Sequence, residues 1–242
     1  MFTTLRDARA TLVPDPEGRH GPLPPLLLAL TVVTGLVDAY SYLVLGHVFV
    51  ANMTGNVVFM AFSLAGAPGF SLTASLLSLA AFAVGALFGG RLGHRSPHHR
   101  ARFLLTATLV QTALVLTAFV MSRTVENPAG GWAKPVLIVL LALAMGLQNA
   151  AARRLAVPDL TTTVLTLTIT GMAADGRLGG GPSAKAGPRL LSTAAMFCGA
   201  LAGAALIMHG QRHTPLLVGS VLITAVAAVL LTQRRSARAW TA

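Results

Sequence analysis

The sequence predicts an all-α polytopic membrane protein made of two inverted repeats, each with three spanning helices and one re-entrant or broken helix. Three observations carry this: a composition too apolar for water, a self-match between two halves of the chain, and an uneven distribution of Lys and Arg among the loops. Of the 242 residues, 54% are hydrophobic and 10% charged, with a mean hydropathy of +0.71. A soluble domain carries about 25% charged residues. Apolar runs of the length a bilayer demands recur from Leu26 almost to the carboxyl terminus.

Residues 1–22 hold three arginines, three acids and three prolines, with no apolar run and no small-residue cleavage site of a signal peptide. They are expected to form a mobile cytoplasmic tail. The membrane domain then covers 23–233, with eight apolar segments at roughly 26–46, 48–65, 72–90, 102–121, 134–152, 160–174, 189–209 and 214–232. A basic tail, 234–242, closes the chain on the cytoplasmic side.

The third and seventh segments match at a spacing of 114 residues: LSLAAFAVGALFG (77–89) against LSTAAMFCGALAG (191–203), with eight identical positions. GLVDA (35–39) pairs with GLQNA (146–150), and NMTGNVV (52–58) with DLTTTVL (159–165) after a four-residue gap. Repeat 1 therefore covers about 23–122 and repeat 2 about 133–233. Gly85 with Gly89, and Gly199 with Gly203, are small residues four apart, the spacing that lets membrane helices pack closely.

Charge decides between two topologies. If all eight segments span and the loop 91–101 is cytoplasmic, seven basic residues lie inside and eleven outside. If segments two and six dip in and return, fifteen lie inside and only Arg123, Lys134 and Arg212 outside. The positive-inside rule favours the second arrangement, with six spans and both termini cytoplasmic in a bacterial inner membrane. Each half then has three spans, so the halves run in opposite directions. Eight full spans is the alternative, because 48–65 as one helix reaches about 27 Å. The net charge of +11 is read as this topology signal and not as a nucleic-acid footprint, since the basic residues sit in short loops without interleaved aromatics.

Polar residues inside the apolar runs locate a candidate pathway. Asp38 lies in the first span and Gln148 and Asn149 take the matching place in the fifth segment. An ionisable group at that depth is costly unless it faces protein or water, which makes it a functional candidate; a hydrogen bond to a neighbouring helix is the plainer role. Asn52, Thr54 and Asn56 read as the start of a helix inside the membrane, where side-chain oxygens cap free N–H groups. Gly55 allows a close approach or an unusual dihedral. Asp159, following Pro158, with Thr161 and Thr163 repeats the pattern in the second half.

Motifs for chemistry are missing. There is no GxSxG, no HExxH and, within the membrane domain, no pair of carboxylates at short spacing, so no enzyme, cofactor or metal is expected. His94 and His98 stand four apart, but Pro97 interrupts them. Cys198 is the only cysteine, which excludes an intrachain disulfide.

The blocks 35–66, containing GLVDA and NMTGN, and 144–176, containing GLQNA and DLTTT, resemble the two signature regions of the YoaK-like family of bacterial inner-membrane proteins, whose biochemical function is unknown. The resemblance covers nearly everything after the amino-terminal tail and implies a multi-pass protein of about six spans. It implies no substrate and no catalytic residue. The expected function is a small-solute transporter or permeation pathway with a polar midplane site at the repeat interface, with the lipid bilayer, an unknown small solute and a possible second copy as partners; the alternative is a non-catalytic membrane scaffold or sensor subunit acting through a partner.

Overall fold

The structure is a computed structural model that describes residues 2–13, 15, 18–95, 99–158, 160, 170, 186–233 and 240. Those residues form helices α1 (Phe2–Leu12), α2 (Leu23–Val44), α3 (Met53–Leu64), α4 (Leu72–Arg95), α5 (Arg100–Thr124), α6 (Ala133–Leu155), α7 (Ala186–Met208) and α8 (Thr214–Gln233). Six of them, α2 and α4–α8, are long and apolar enough to cross a membrane. Their outward faces expose large apolar side chains such as Val84, Leu87, Leu116, Phe197, Leu201 and Val221, a belt that water would not tolerate and lipid requires. Hydroxyls along the spans bond back one turn, as Thr31 does to the Leu27 carbonyl and Ser220 to that of Leu216, so they bring no unsatisfied donor into the hydrocarbon.

Glycines set the main seams. A Cβ on Gly85 of α4 would stand 2.2 Å from the Leu143 carbonyl oxygen of α6, and one on Gly146 would stand 2.1 Å from that of Phe82. The same contacts recur between α7 and α2: Gly199 against Val32 at 2.1 Å and Gly35 against Met196 at 2.4 Å. Gly89 lies on Leu147 and Ala150, as Gly203 lies on Leu36 and Ala39. Numbers shifted by 114 in the third segment and 111 in the first turn one seam into the other. The four glycines assigned to packing are thus all in helix contacts that a methyl group would obstruct.

These contacts also fix helix directions. Both seams advance in register, so α4 runs parallel to α6 and α2 parallel to α7. Tyr40, Ser122 and His213 meet in one hydrogen-bonded chain, which brings the ends of α2 and α5 to the start of α8. Arg100 at the start of α5 bonds the Leu155 carbonyl at the end of α6, so α2, α5 and α7 point one way and α4, α6 and α8 the other. Since α2 and α4 are antiparallel, α3 does not cross between them. Its 12 residues reach about 18 Å, against about 30 Å of hydrocarbon. The first half thus has a re-entrant half-helix, and eight full spans are excluded there. In the second half, α6 ends and α7 begins on the same face; most of the intervening segment, including the expected counterpart of α3, lies outside the described residues.

The amino-terminal residues differ from the expected mobile tail. Residues 2–12 are helical, and α1 packs on α7 with Thr11 buried and Asp7 and Ala8 against Gly187. A short helix needs only one small-residue face to dock, and the absence of a long apolar run says nothing about that. At the other end, Trp240 is fully buried, its indole against Gly21 where φ is +43°. A Cβ on Gly21 would lie 2.4 Å from that ring, so the glycine answers both to the backbone and to the tryptophan.

Candidate functional site

The chain leaves α2 through Gly46 (φ 85°) and His47 (φ 53°), two consecutive left-handed residues that turn it back toward the bundle. A left-handed histidine needs support; its Nδ1 bonds the Gly69 carbonyl at 2.9 Å and its ring packs edge-on to Tyr42. Residues 48–52 then descend beside α2. Asp38 stands six residues before the end of α2, about 9 Å along the axis. Its Oδ1 accepts the N–H groups of Val50 and Ala51 at 3.0 and 2.9 Å, which satisfies backbone donors that no ladder serves. Asp38 is 4% exposed, and among the described residues its Oδ2 has no hydrogen-bond partner.

Two further side chains hold the same strand. Asn56 accepts the Phe49 N–H at Oδ1 (3.0 Å) and donates from Nδ2 to the Phe49 carbonyl (2.7 Å). Ser78 on α4 donates to that carbonyl as well, at 2.6 Å. Asn52 caps α3, its side chain accepting the Gly55 N–H at 3.3 Å. Gly55 is there for close approach: a Cβ would lie 2.7 Å from the Phe49 ring. Tyr42, Phe49, Phe59, Phe62 and Phe70 form a chain of ring contacts over the hairpin, with Tyr42 and Phe49 stacked at 5.0 Å. Asn52 and Thr54 at the tip are exposed, whereas Asn56 is fully buried.

A second polar cluster crosses the bundle. Gln111 on α5 donates to Gln148 on α6 at 2.6 Å. Gln148 in turn donates to Thr34 Oγ1 at 2.8 Å and to the Leu30 carbonyl at 3.2 Å, both on α2. All three side chains are buried, so the layer ties three helices with each amide partnered. Thr34 lies one turn below Asp38 on the same face of α2, which sets the two polar clusters end to end along that helix.

Of the residues expected at the pathway, Asp38, Asn52, Thr54 and Asn56 come together in the hairpin. Gln148 belongs to the cross-bundle layer, and half-buried Asn149 donates to the Met145 carbonyl of its own helix at 2.9 Å. Asp159, Thr161 and Thr163 lie outside the described residues. Sequence reasoning missed Gln111, Thr34 and Ser78. A lone amide in the apolar run 102–121 was the available signal for Gln111; the other two look like ordinary helix hydroxyls. Among the described residues, no group of three His, Cys, Asp or Glu side chains could hold a metal ion.

Six long apolar helices with an intramembrane half-helix define a multi-pass helical membrane protein. A family described as "Protein of unknown function (DUF1275)" matches residues 26–230, and the chain belongs to that family. The UPF0700 transmembrane protein YoaK of Bacillus subtilis (strain 168) is 33% identical over 157 residues, covering 63% of this chain and 68% of that protein. No solved structure matches. The resemblance carried by the NMTGN and GLQNA blocks is borne out.

Proposed function

We propose that the protein is a small-solute transporter or permeation pathway of a bacterial inner membrane, with both termini cytoplasmic and its polar site at the tip of the α3 hairpin. One observation carries this reading: Asp38, buried within a span, keeps one carboxylate oxygen without a hydrogen-bond partner among the described residues, beside a half-helix that starts inside the membrane. Among the described residues no cation pairs with it. A carboxylate that deep is costly unless a proton, a cation or a polar solute answers it. Helix starts at mid-depth, lined by amides and hydroxyls, are how secondary transporters build substrate sites.

The opposed directions of α2 and α6, α4 and α7, and α5 and α8, together with the two equivalent glycine seams, support an inverted repeat. The basic residues support the orientation, since the described loops carry most of their arginines on the face where α2 begins and α6 ends. In this reading the protein performs no covalent chemistry.

The test is flux into proteoliposomes across a panel of small metabolites and ions. Expected is uptake of at least one solute that Asp38→Asn abolishes while thermal stability holds, because asparagine keeps the oxygen that Val50 and Ala51 use. No flux for any solute overturns the proposal. The scaffold reading draws on a different observation: α3 packs mainly on α4 and leaves Val57, Val58 and Phe62 exposed. Purification from native membranes with a stoichiometric second protein would favour it.

A further inference from the structure

Opposite the face where α2 begins, the end of α5 and the turn into α8 enclose a groove of 660 Å³ lined by Arg123, Thr124, Gln211, Arg212 and His213, with Leu217 among its apolar walls. We propose that this groove binds an oxyanion, a phosphate or carboxylate group, held between Arg123 and Arg212 with His213 as a third donor. The site is separate from the Asp38 hairpin and does not rest on the transport reading.

Four observations support it. No acidic residue lines the groove, and neither arginine makes an ion pair or hydrogen bond among the described residues. Two guanidinium groups line the groove, so an anion entering it meets two positive charges. Arg carries planar, fixed donors suited to phosphate and carboxylate. His213 is oriented for the task from inside the bundle. Buried Tyr40 donates to Ser122 Oγ at 2.9 Å, and Ser122 meets His213 Nδ1 at 2.5 Å. Where Ser122 donates to Nδ1, the ring proton sits on Nε2, which leaves that N–H for a ligand. The groove also borders the exposed apolar faces of Val120 and Leu217, so an anion with an apolar body fits as well as a free one.

Two sources share this chemistry: a dissolved anion and the headgroup of an anionic phospholipid. The full chain is placed in nanodiscs of phosphatidylcholine and titrated with inorganic phosphate, reading the thermal midpoint. In parallel it is purified from mixed phosphatidylcholine–phosphatidylglycerol vesicles and the retained lipid is counted by native mass spectrometry. Either phosphate raises the midpoint of wild type, or phosphatidylglycerol is retained in preference to phosphatidylcholine. The first outcome assigns a free anion, the second a lipid headgroup. Arg123→Gln and Arg212→Gln should each weaken the effect about tenfold, since a charge-assisted hydrogen bond is worth that much. Both arginines are exposed, so the variants keep the fold; Arg95→Gln on the opposite face should change nothing. If neither probe distinguishes wild type from the double variant, the groove is not an anion site.

Discussion

Asn56 pairs with both backbone groups of Phe49, accepting its N–H and donating to its carbonyl, as a neighbouring strand would. The hairpin descends into the membrane without a sheet, so this one amide supplies what a ladder would otherwise provide. Asn56→Leu leaves a buried N–H without a partner and the Phe49 carbonyl with Ser78 alone. The expected cost is about 2–3 kcal/mol, seen as a lowered thermal midpoint in detergent. Asn56→Asp should cost at least as much, since it sets a charge against the Phe49 carbonyl. A wild-type midpoint in both variants would show that Asn56 does not hold the hairpin.

The two glycine seams should respond alike. Gly85→Ala and Gly199→Ala each drive a methyl group into a facing backbone carbonyl at 2.2 and 2.1 Å, and overpacking of that kind costs roughly 1–3 kcal/mol. Gly90, with nothing within 4 Å of its Cβ position, should accept alanine at no cost. Equal losses at the two seams, measured by thermal unfolding, would match their equivalence; a loss at one seam only would contradict it.

Single cysteines at Val48 and Gly66, in a background with Cys198 replaced, should label from the same side of the membrane. His47 and Gly69 are hydrogen-bonded to each other, so the two ends of the hairpin share one face. Labelling from opposite sides would mean that the segment crosses.

His213 supplies a pH signature. Burial first, and then the neighbouring Arg123 and Arg212 cations, hold its imidazole below the ordinary histidine range. The native state therefore binds fewer protons than the unfolded chain, and stability rises with pH across that range. The contribution is complete above about pH 6.5 and is lost as the pH falls below it. His213→Gln should flatten the acid side of a midpoint-against-pH curve relative to wild type. An unchanged slope would show that the ring is not held neutral.

Apolar length reported eight candidate segments, and counting charge in the loops, which is sensitive to every crossing, separated six spans from the re-entrant segment. The glycine pairs were readable because a helix repeats on a known period. Gln111 with Gln148, and Tyr40 with Ser122 and His213, were not, since a period says which face a residue occupies but not which helix faces it. The role of Asp38 was half legible: its burial followed from its place in a span, while its bonds to Val50 and Ala51 depend on a turn that only the left-handed Gly46 and His47 create.

The seams have a consequence for the order in which the bundle can close. Helix α4 lies on α6 and α2 lies on α7, so each early span is covered by a helix that comes later in the chain. Until α6 and α7 have entered the bilayer, the glycine faces of α4 and α2 have only lipid beside them.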